Sequence, residues 1–264
     1  MSKFRSYFDF KESVVIGSEI FLSDSESRHL ISARRAKFGD SVCAFDLKGN
    51  ICECEIIDVN PKSTKLKILS KENHTLNSEN IVLGIGIPKK TFDDVLRQSV
   101  EVGVRKICPI LSKNCEVKIP NEDLERKAQK WTSQIIEAVK QSGNLSDFEV
   151  SQAQSLKTFF EQTKNCDLKI IASLQEDALP IFKVLADAKN LERSSKFLEN
   201  DAKISKGNSV AILVGPEGDF TSEEYSLAKE QGFKPVTLGN NVMKSETAVL
   251  SATSTVAHYL QSVR

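Results

Sequence analysis

Histidine is scarce in this chain. There are three in 264 residues, and His29, His74 and His258 lie far apart in sequence, so a zinc site that mixes histidine with cysteine has little to draw on. The six cysteines, at 43, 52, 54, 108, 115 and 166, form no C-x-x-C pair. They read as buried free thiols of a reducing compartment, and no metal is expected. No apolar run approaches the length of a membrane span. The start, MSKFRSYFDFKESVV, lacks the apolar stretch of a signal peptide, so the expectation is a cytoplasmic protein without a membrane partner. Net charge is also missing: 36 basic residues face 36 acidic ones, which excludes a strongly basic nucleic-acid binder. Neither a Gly-Lys-Ser/Thr phosphate loop nor a G-x-S-x-G nucleophile elbow occurs.

What is present begins with a core. Forty per cent of residues are hydrophobic and 27% charged, and a chain of this length buries enough surface to fold without metal or disulfide. Charge is uneven within the zero sum. Residues 1–120 hold 19 Lys+Arg against 16 Asp+Glu, and the remainder holds 17 against 20. Two runs carry cations and no acid: RHLISARRAK (28–37) and KSTKLKILSK (62–71). Such runs are more often solvated faces than binding sites, and both readings stay open here.

The pattern of apolar residues divides the chain. Residues 14–70 read as short strands. VCAF (42–45) and ICECEIIDV (51–59) flank a turn at Lys48-Gly49-Asn50, with Cys52, Cys54 and Ile56 on one face and Glu53 and Glu55 on the other. TKLKIL places Thr64, Leu66 and Ile68 inward and Lys65 and Lys67 outward. Ser23-Asp24-Ser25-Glu26 is an S-x-x-E capping box, which predicts a helix running toward Gly39. After the polar linker 71–80, strands alternate with helices: IVLGIGI (81–87), a helix ending near Gly103, KICPIL (106–111), a long helix over 121–143, LKIIAS (168–173) and SVAILV (209–214). That alternation predicts an α/β unit with a parallel sheet covered on both sides. The segment 186–207, rich in Lys and Ser, reads as a surface excursion.

Two stretches could carry chemistry. In LVGPEGDF (213–220) a strand ends at Gly215, and Thr221-Ser222-Glu223-Glu224 then caps a helix running to Gly232. Loops at the carboxyl ends of strands are where open α/β sheets bind ligands. Gly215 and Gly218 let backbone approach a ligand closely. Glu217 and Asp219 disfavour a polyanion. In VTLGNNVMKSETAVLSATS (236–254) a second strand ends in a Gly turn before the C-terminal helix, whose Ala248, Ser251, Ala252 and Ser254 allow close packing. Two such loops could frame one pocket. A third candidate, GIG at 84–86, lacks the last glycine of a dinucleotide fingerprint, because Lys89 stands there.

LVGPEGDFTSEE followed by LGNNVMKSETA resembles the RsmE family of ribosomal RNA uridine-N3 methyltransferases, of the SPOUT superfamily. RHLISARRAKFGDSVCAFDLKGN resembles the PUA-like RNA-binding barrel of that family, and PKKTFDDVLRQSVEVGVRKICPILS its first strand–helix–strand unit. The resemblance implies a small PUA-like β-barrel domain over 1–72 and a SPOUT methyltransferase domain with a C-terminal trefoil knot over 73–264. It implies S-adenosylmethionine as cofactor, held by Leu213, Gly215, Pro216, Glu217 and Gly218 and by Leu238, Gly239, Val242, Met243, Thr247 and Ala248. The implied reaction is methylation of a uridine at N3 in small-subunit ribosomal RNA, in an assembled ribosomal particle, by a homodimer. Lys89, Arg97 and Lys244 are the candidate catalytic donors to uracil. Glu217 is a candidate proton acceptor, a charge partner for a sulfonium, or a loop-shaping residue. Arg34, Arg35, Lys37, Lys65 and Lys67 are the candidate RNA-binding residues.

The chain departs from the family pattern in places. Asp219 follows GPEG where Gly is usual, Asn241 and Lys244 replace arginines, and Asn144 stands for another. Arg97-Gln98 stands where Gln-Lys is usual. These changes leave a second reading open, an RNA- or ribosome-binding module that kept the fold without the chemistry. A third, a nucleotide-binding oxidoreductase, rests only on GIG.

Overall fold

The computed structural model describes residues 4–10, 14–73, 80–196 and 209–262, with backbone alone over 189–196. The chain divides into two compact units. One comprises 1–78 with 136–148, the other 79–135 with 149–264. The sequence suggested a division between 72 and 73. It carried no sign that 136–148 group with the first unit.

The first unit is a five-stranded mixed sheet built from β1 (Phe4–Tyr7), β2 (Glu19–Phe21), β3 (Ser41–Phe45), β4 (Asn50–Asp58) and β5 (Lys65–Asn73), in the order β1-β3-β4-β5-β2. β1 runs parallel to β3, and the other neighbours are antiparallel. The alternation read in β4 and β5 is the one observed: Cys52, Cys54, Ile56, Leu66 and Ile68 are buried in one cluster with Phe4, Leu30 and Val42. The helix after Ser23 is shorter than expected. Ser23 Oγ accepts from the Glu26 amide, as a cap should, and α1 (Asp24–Arg28) follows. The chain then widens into a π-turn over His29–Ala33, and Arg35 at φ +56° ends the helical run before Gly39.

Glu26 does not complete the capping box. Its buried carboxylate accepts from the Tyr7 amide at 3.0 Å and from the Lys140 ammonium, and Lys140 also pairs with Glu137. Residues 136–148 are thus tied into this unit. Arg5 Nη1 donates to the Lys140 carbonyl at 2.8 Å, and Phe148 N to the Leu47 carbonyl at 3.0 Å.

The second unit contains β6 (Asn80–Gly86), α2 (Phe92–Val102), β7 (Lys106–Ile110), α3 (Leu124–Ser142, the division falling within it), β8 (Glu149–Val150), α4 (Leu156–Thr163), β9 (Leu168–Ala172), β10 (Leu179–Pro180), α5 (Ile181–Lys196), β11 (Ser209–Val214), α6 (Ser222–Glu230), β12 (Lys234–Thr237) and α7 (Ser245–Ser262). Its strands form a seven-stranded sheet, order β10-β12-β9-β11-β6-β7-β8, every neighbouring pair parallel. Continuous apolar runs such as Val210–Val214 are buried throughout because parallel sheets are covered on both faces. Of the surface excursion expected over 186–207, the part to Lys196 continues helix α5, whose buried Ile181, Val184 and Leu185 precede it, and 197–207 lies outside the described residues. The polar linker expected over 71–80 is strand at 71–73 and at 80, with 74–79 outside the described residues. α4 was not anticipated, although Ser155 caps it and Leu156, Phe159 and Phe160 share one buried face.

α7 follows β12, near one edge of the sheet, yet packs on β11, β6 and α2. Ala248 and Ala252 are buried on its inner face and let it approach closely, as the small-residue spacing suggested. No helix among the described residues is long and apolar enough to cross a membrane.

Candidate active site

Because all strands of the second unit run parallel, their carboxyl ends open on one side. A cleft of about 590 Å³ lies there, within the range typical of small-molecule sites. Both motif loops line it. So does a third segment, Ala172-Ser173-Leu174, which the sequence did not single out. The strand order explains that addition. β9 sits between β11 and β12, so its end falls between the two motif loops.

The first loop is held by close approaches that only glycine permits. A Cβ on Gly215 would meet Asp219 Oδ1 at 2.9 Å, and one on Gly86 would meet Pro216 Cδ at 2.4 Å. A Cβ on Gly84 would meet the Phe159 ring at 2.6 Å. Both glycines of GIG therefore serve packing: Gly84 seats α4, and Gly86 seats the proline of LVGPEGDF. Nothing in that arrangement favours the oxidoreductase reading.

Asp219 sits at φ +56°, a left-handed conformation that Gly adopts freely and that Asp tolerates better than most residues. Its Oδ1 accepts from the Phe220 amide at 2.8 Å and from the Tyr225 hydroxyl at 2.9 Å. Burial, and then the Asp219 charge, raise the Tyr225 pKa, so the phenol keeps its proton. From the β7 side, Asn114 Nδ2 donates to the carbonyls of Gly218 (3.0 Å) and Asp219 (3.2 Å). Thr221 and Glu224 complete the expected capping box beyond the loop.

Glu217 Oε1 accepts from the Lys89 backbone amide at 2.9 Å, which ties this loop to the one after β6. The Lys89 ammonium donates to Glu116 at 2.7 Å. That bond raises the Lys89 pKa and lowers that of Glu116, so each keeps its charge. In the second loop Thr237 Oγ1 donates to the Gly239 carbonyl at 2.9 Å. Glu246, at the start of α7, accepts from Thr91 Oγ1 at 3.2 Å.

The structure gathers most of the residues expected at the site. Gly215, Pro216, Glu217, Leu238, Gly239, Val242, Met243 and Ala248 line the cleft, with Lys89 and Lys244. Four others fall outside its lining. Leu213 is fully buried within β11, Gly218 is pinned under Asn114, and Thr247 faces outward from α7. Arg97 lies on the exposed face of α2, bound to Asp94 at 3.0 Å and Glu101 at 3.5 Å. Residues missed beforehand include Thr91, Glu116, Tyr225 and Glu246, and Asp219, read only as a charge against a polyanion, joins them in the lining. In the first unit, Arg34, Arg35 and Lys37 are exposed, as is Lys67, while Lys65 pairs with Glu19 at 3.1 Å.

The family models match in the same order. An RNA methyltransferase domain matches residues 75–257, and an RNA methyltransferase PUA domain matches 22–69. The chain belongs to the RNA methyltransferase family. Its curated relatives include proteins named ribosomal RNA small subunit methyltransferase E. That of Mesomycoplasma hyopneumoniae is 29% identical over 83% of this chain and 86% of its own length. That of Aquifex aeolicus is 26% identical over 92% and 96%. This is the family whose motifs the sequence resembled. Among solved structures, a putative methyltransferase from Legionella pneumophila with bound cofactor SAM has a TM-score of 0.79 at 24% identity, covering 100% of this chain and 98% of that one. The ribosomal RNA small subunit methyltransferase E of Neisseria gonorrhoeae, bound to S-adenosyl methionine, has a TM-score of 0.78 at 24% identity, with 96% of each chain covered. At that identity the likeness shows the fold of this RNA methyltransferase.

Proposed function

We propose that this chain uses S-adenosylmethionine to methylate a uridine at N3 in small-subunit ribosomal RNA, in the cytoplasm and on an assembled ribosomal particle. The observation that carries the reading is the cleft at the strand ends, framed by the two loops that contain Gly215 and Gly239. The residues present fit the cofactor. Gly215 and Pro216, with Leu238, Gly239, Val242 and Met243, offer backbone and apolar contacts, and Glu217 and Asp219 suit a cation better than a polyanion. S-adenosylmethionine supplies a methyl group on a sulfonium.

The chain's own groups do the rest. N3 lies on the Watson–Crick edge, so the base must be unpaired or flipped out to react. Its N–H is weakly acidic, and donors at O2 and O4 would spread the charge as the proton leaves. Lys89 and Lys244 line the cleft and serve as those donors. The Glu116 bond keeps Lys89 cationic, which suits a donor and not a base. Glu217 acts as a loop tie through the Lys89 amide. Arg97, which does not line the cleft, is left out of the set. Arg34, Arg35, Lys37, Lys65 and Lys67 would hold RNA phosphates.

Two structural expectations belong to the same proposal. The path of α7 back over β11 and β6 supports a C-terminal knot. Leu174, Leu179, Phe182 and Val242, all exposed on the β9, β10 and β12 side, support a homodimer that covers them. The test is calorimetric titration of the full chain with S-adenosylmethionine beside Gly215→Val. Binding by the parent and its loss in the variant, by at least about a hundredfold given the 2.9 Å contact a Cβ would make, is the expected result. No binding by the folded parent would sink the reading and leave the RNA-binding module without chemistry.

A further inference from the structure

We propose that the loop 34–40 is a docking site for one unpaired RNA base, with the Phe38 ring as its stacking platform and Arg34, Arg35 and Lys37 as partners for the flanking phosphates. This rests on RNA being the substrate and adds how the first unit engages it. The cationic run was visible in sequence, but the aromatic residue that follows it was not part of that reading.

The loop is built, not slack. Arg34 N donates to the His29 carbonyl at 2.9 Å and Ala36 N to the Leu30 carbonyl at 3.1 Å. Lys37 N donates to Asp40 Oδ2 at 2.7 Å, Asp40 N to the Lys37 carbonyl at 3.1 Å, and Gly39 N to the Ile56 carbonyl at 2.9 Å. Ala36 is buried as an anchor. Arg35 holds φ +56°, an unfavourable conformation for a side chain of its size. So fastened, the loop presents Phe38 with 68% of its surface exposed. No ring or cation covers it among the described residues. Phe21 differs, because the Lys65 ammonium lies 5.1 Å from its ring centroid. Arg34, Arg35 and Lys37 likewise have no ion-pair partner among the described residues.

An exposed aromatic ring in a hydrogen-bonded loop, beside exposed cations in the same loop, matches the chemistry of single-stranded nucleic acid. Every base offers a π-face, and every linkage a negative charge. Base-paired RNA, whose bases are already stacked, would use only the cations.

The test is fluorescence anisotropy of the full chain with a short labelled single-stranded RNA of mixed sequence, beside a blunt RNA duplex and heparin. Phe38→Ala should weaken single-strand binding about tenfold and leave duplex and heparin binding unchanged. Phe38→Trp should restore it, and Phe38→Leu, apolar without a π-face, should not. Lys37→Ala should weaken all three probes and reduce the salt slope by about one. The proposal falls if the parent does not bind the single strand, if Phe38→Ala changes nothing, or if it weakens all probes alike. It falls equally if Phe38→Leu binds as the parent does, or if Phe38→Ala changes the sedimenting mass, which would make the ring a contact between copies. Because Phe38 is exposed, an unchanged melting curve serves as the folding control. Cofactor titration reads the cleft and not this loop, so the two readings fail separately.

Discussion

Glu26 in the first unit and three carboxylates around the cleft of the second are held in opposite ways. In the first, Glu26 is buried and satisfied by a lysine that is equally buried, their side chains 10% and 7% exposed. In the second, Glu217, Asp219 and Glu246 stand around an open cleft and are satisfied by backbone amides and hydroxyls instead. A buried ion pair fastens structure, because removing either partner leaves an uncompensated charge. Carboxylates tied by neutral donors keep their negative field, which suits a site for a cation. One kind of side chain thus marks a staple in one place and a binding wall in another, and only its partners tell them apart.

The comparison can be broken most sharply at the staple. Lys140→Met should lower the stability of the first unit by about 3–5 kcal/mol in urea titrations, and Glu26→Leu added to it should recover most of the loss. A cost below about 1 kcal/mol would show that the pair behaves as a solvated surface pair. The next effect is at the cleft. Lys244→Ala should reduce turnover about a hundredfold while calorimetry shows cofactor affinity kept. Unchanged turnover would remove Lys244 from the mechanism.

Smaller effects sharpen the account of the wall. Tyr225→Phe removes the hydroxyl that holds Asp219 and should weaken cofactor binding about fivefold, the equivalent of about 1 kcal/mol. Asp219→Gly should be tolerated better than Asp219→Ala, because φ +56° costs alanine about 1 kcal/mol and glycine nothing. Equal affinities of the two variants would show that the backbone conformation at this position does not matter.

A further effect is alkaline. Burial pushes Cys43 and Cys54, in the first unit, up to about 12 from the ordinary thiol value of 9.0. Cys108, in the second, rises to about 11. Folding therefore retains protons that the unfolded chain releases. The contribution is complete below pH 9.0 and declines as pH rises toward 12. Urea titrations at rising pH check the sign. At neutral pH, alkylation should reach the partly buried Cys166 before the five buried thiols.

Much of this was legible beforehand, for reasons that can be named. The β4–β5 alternation, the parallel strands and the caps at Thr221 and Gly103 are local signals, written within a few residues of where they act. The two motif loops were legible because glycine and proline mark backbone that must bend. Ala172-Ser173-Leu174 was not, since its place in the cleft comes from β9 lying between β11 and β12, which no stretch of sequence spells out. Glu26 misled for a related reason. Its spacing from Ser23 fits a capping box, but a lysine 114 residues away offers the stronger partner.

By itself, then, the sequence determined most of the elements, the alternation of buried and exposed faces, the glycines at the strand ends and the family resemblance. These depend on propensity, periodicity and short motifs, which act over one turn or one strand. Tertiary structure alone decided which charges are staples and which face the cleft. It placed Arg97 on the exposed face of α2, outside the cleft lining, brought Tyr225 to Asp219, and gave the glycines of GIG a packing role. Each outcome depends on pairs of residues far apart in the chain, and such pairs meet only when strand order and helix packing bring them within hydrogen-bond reach.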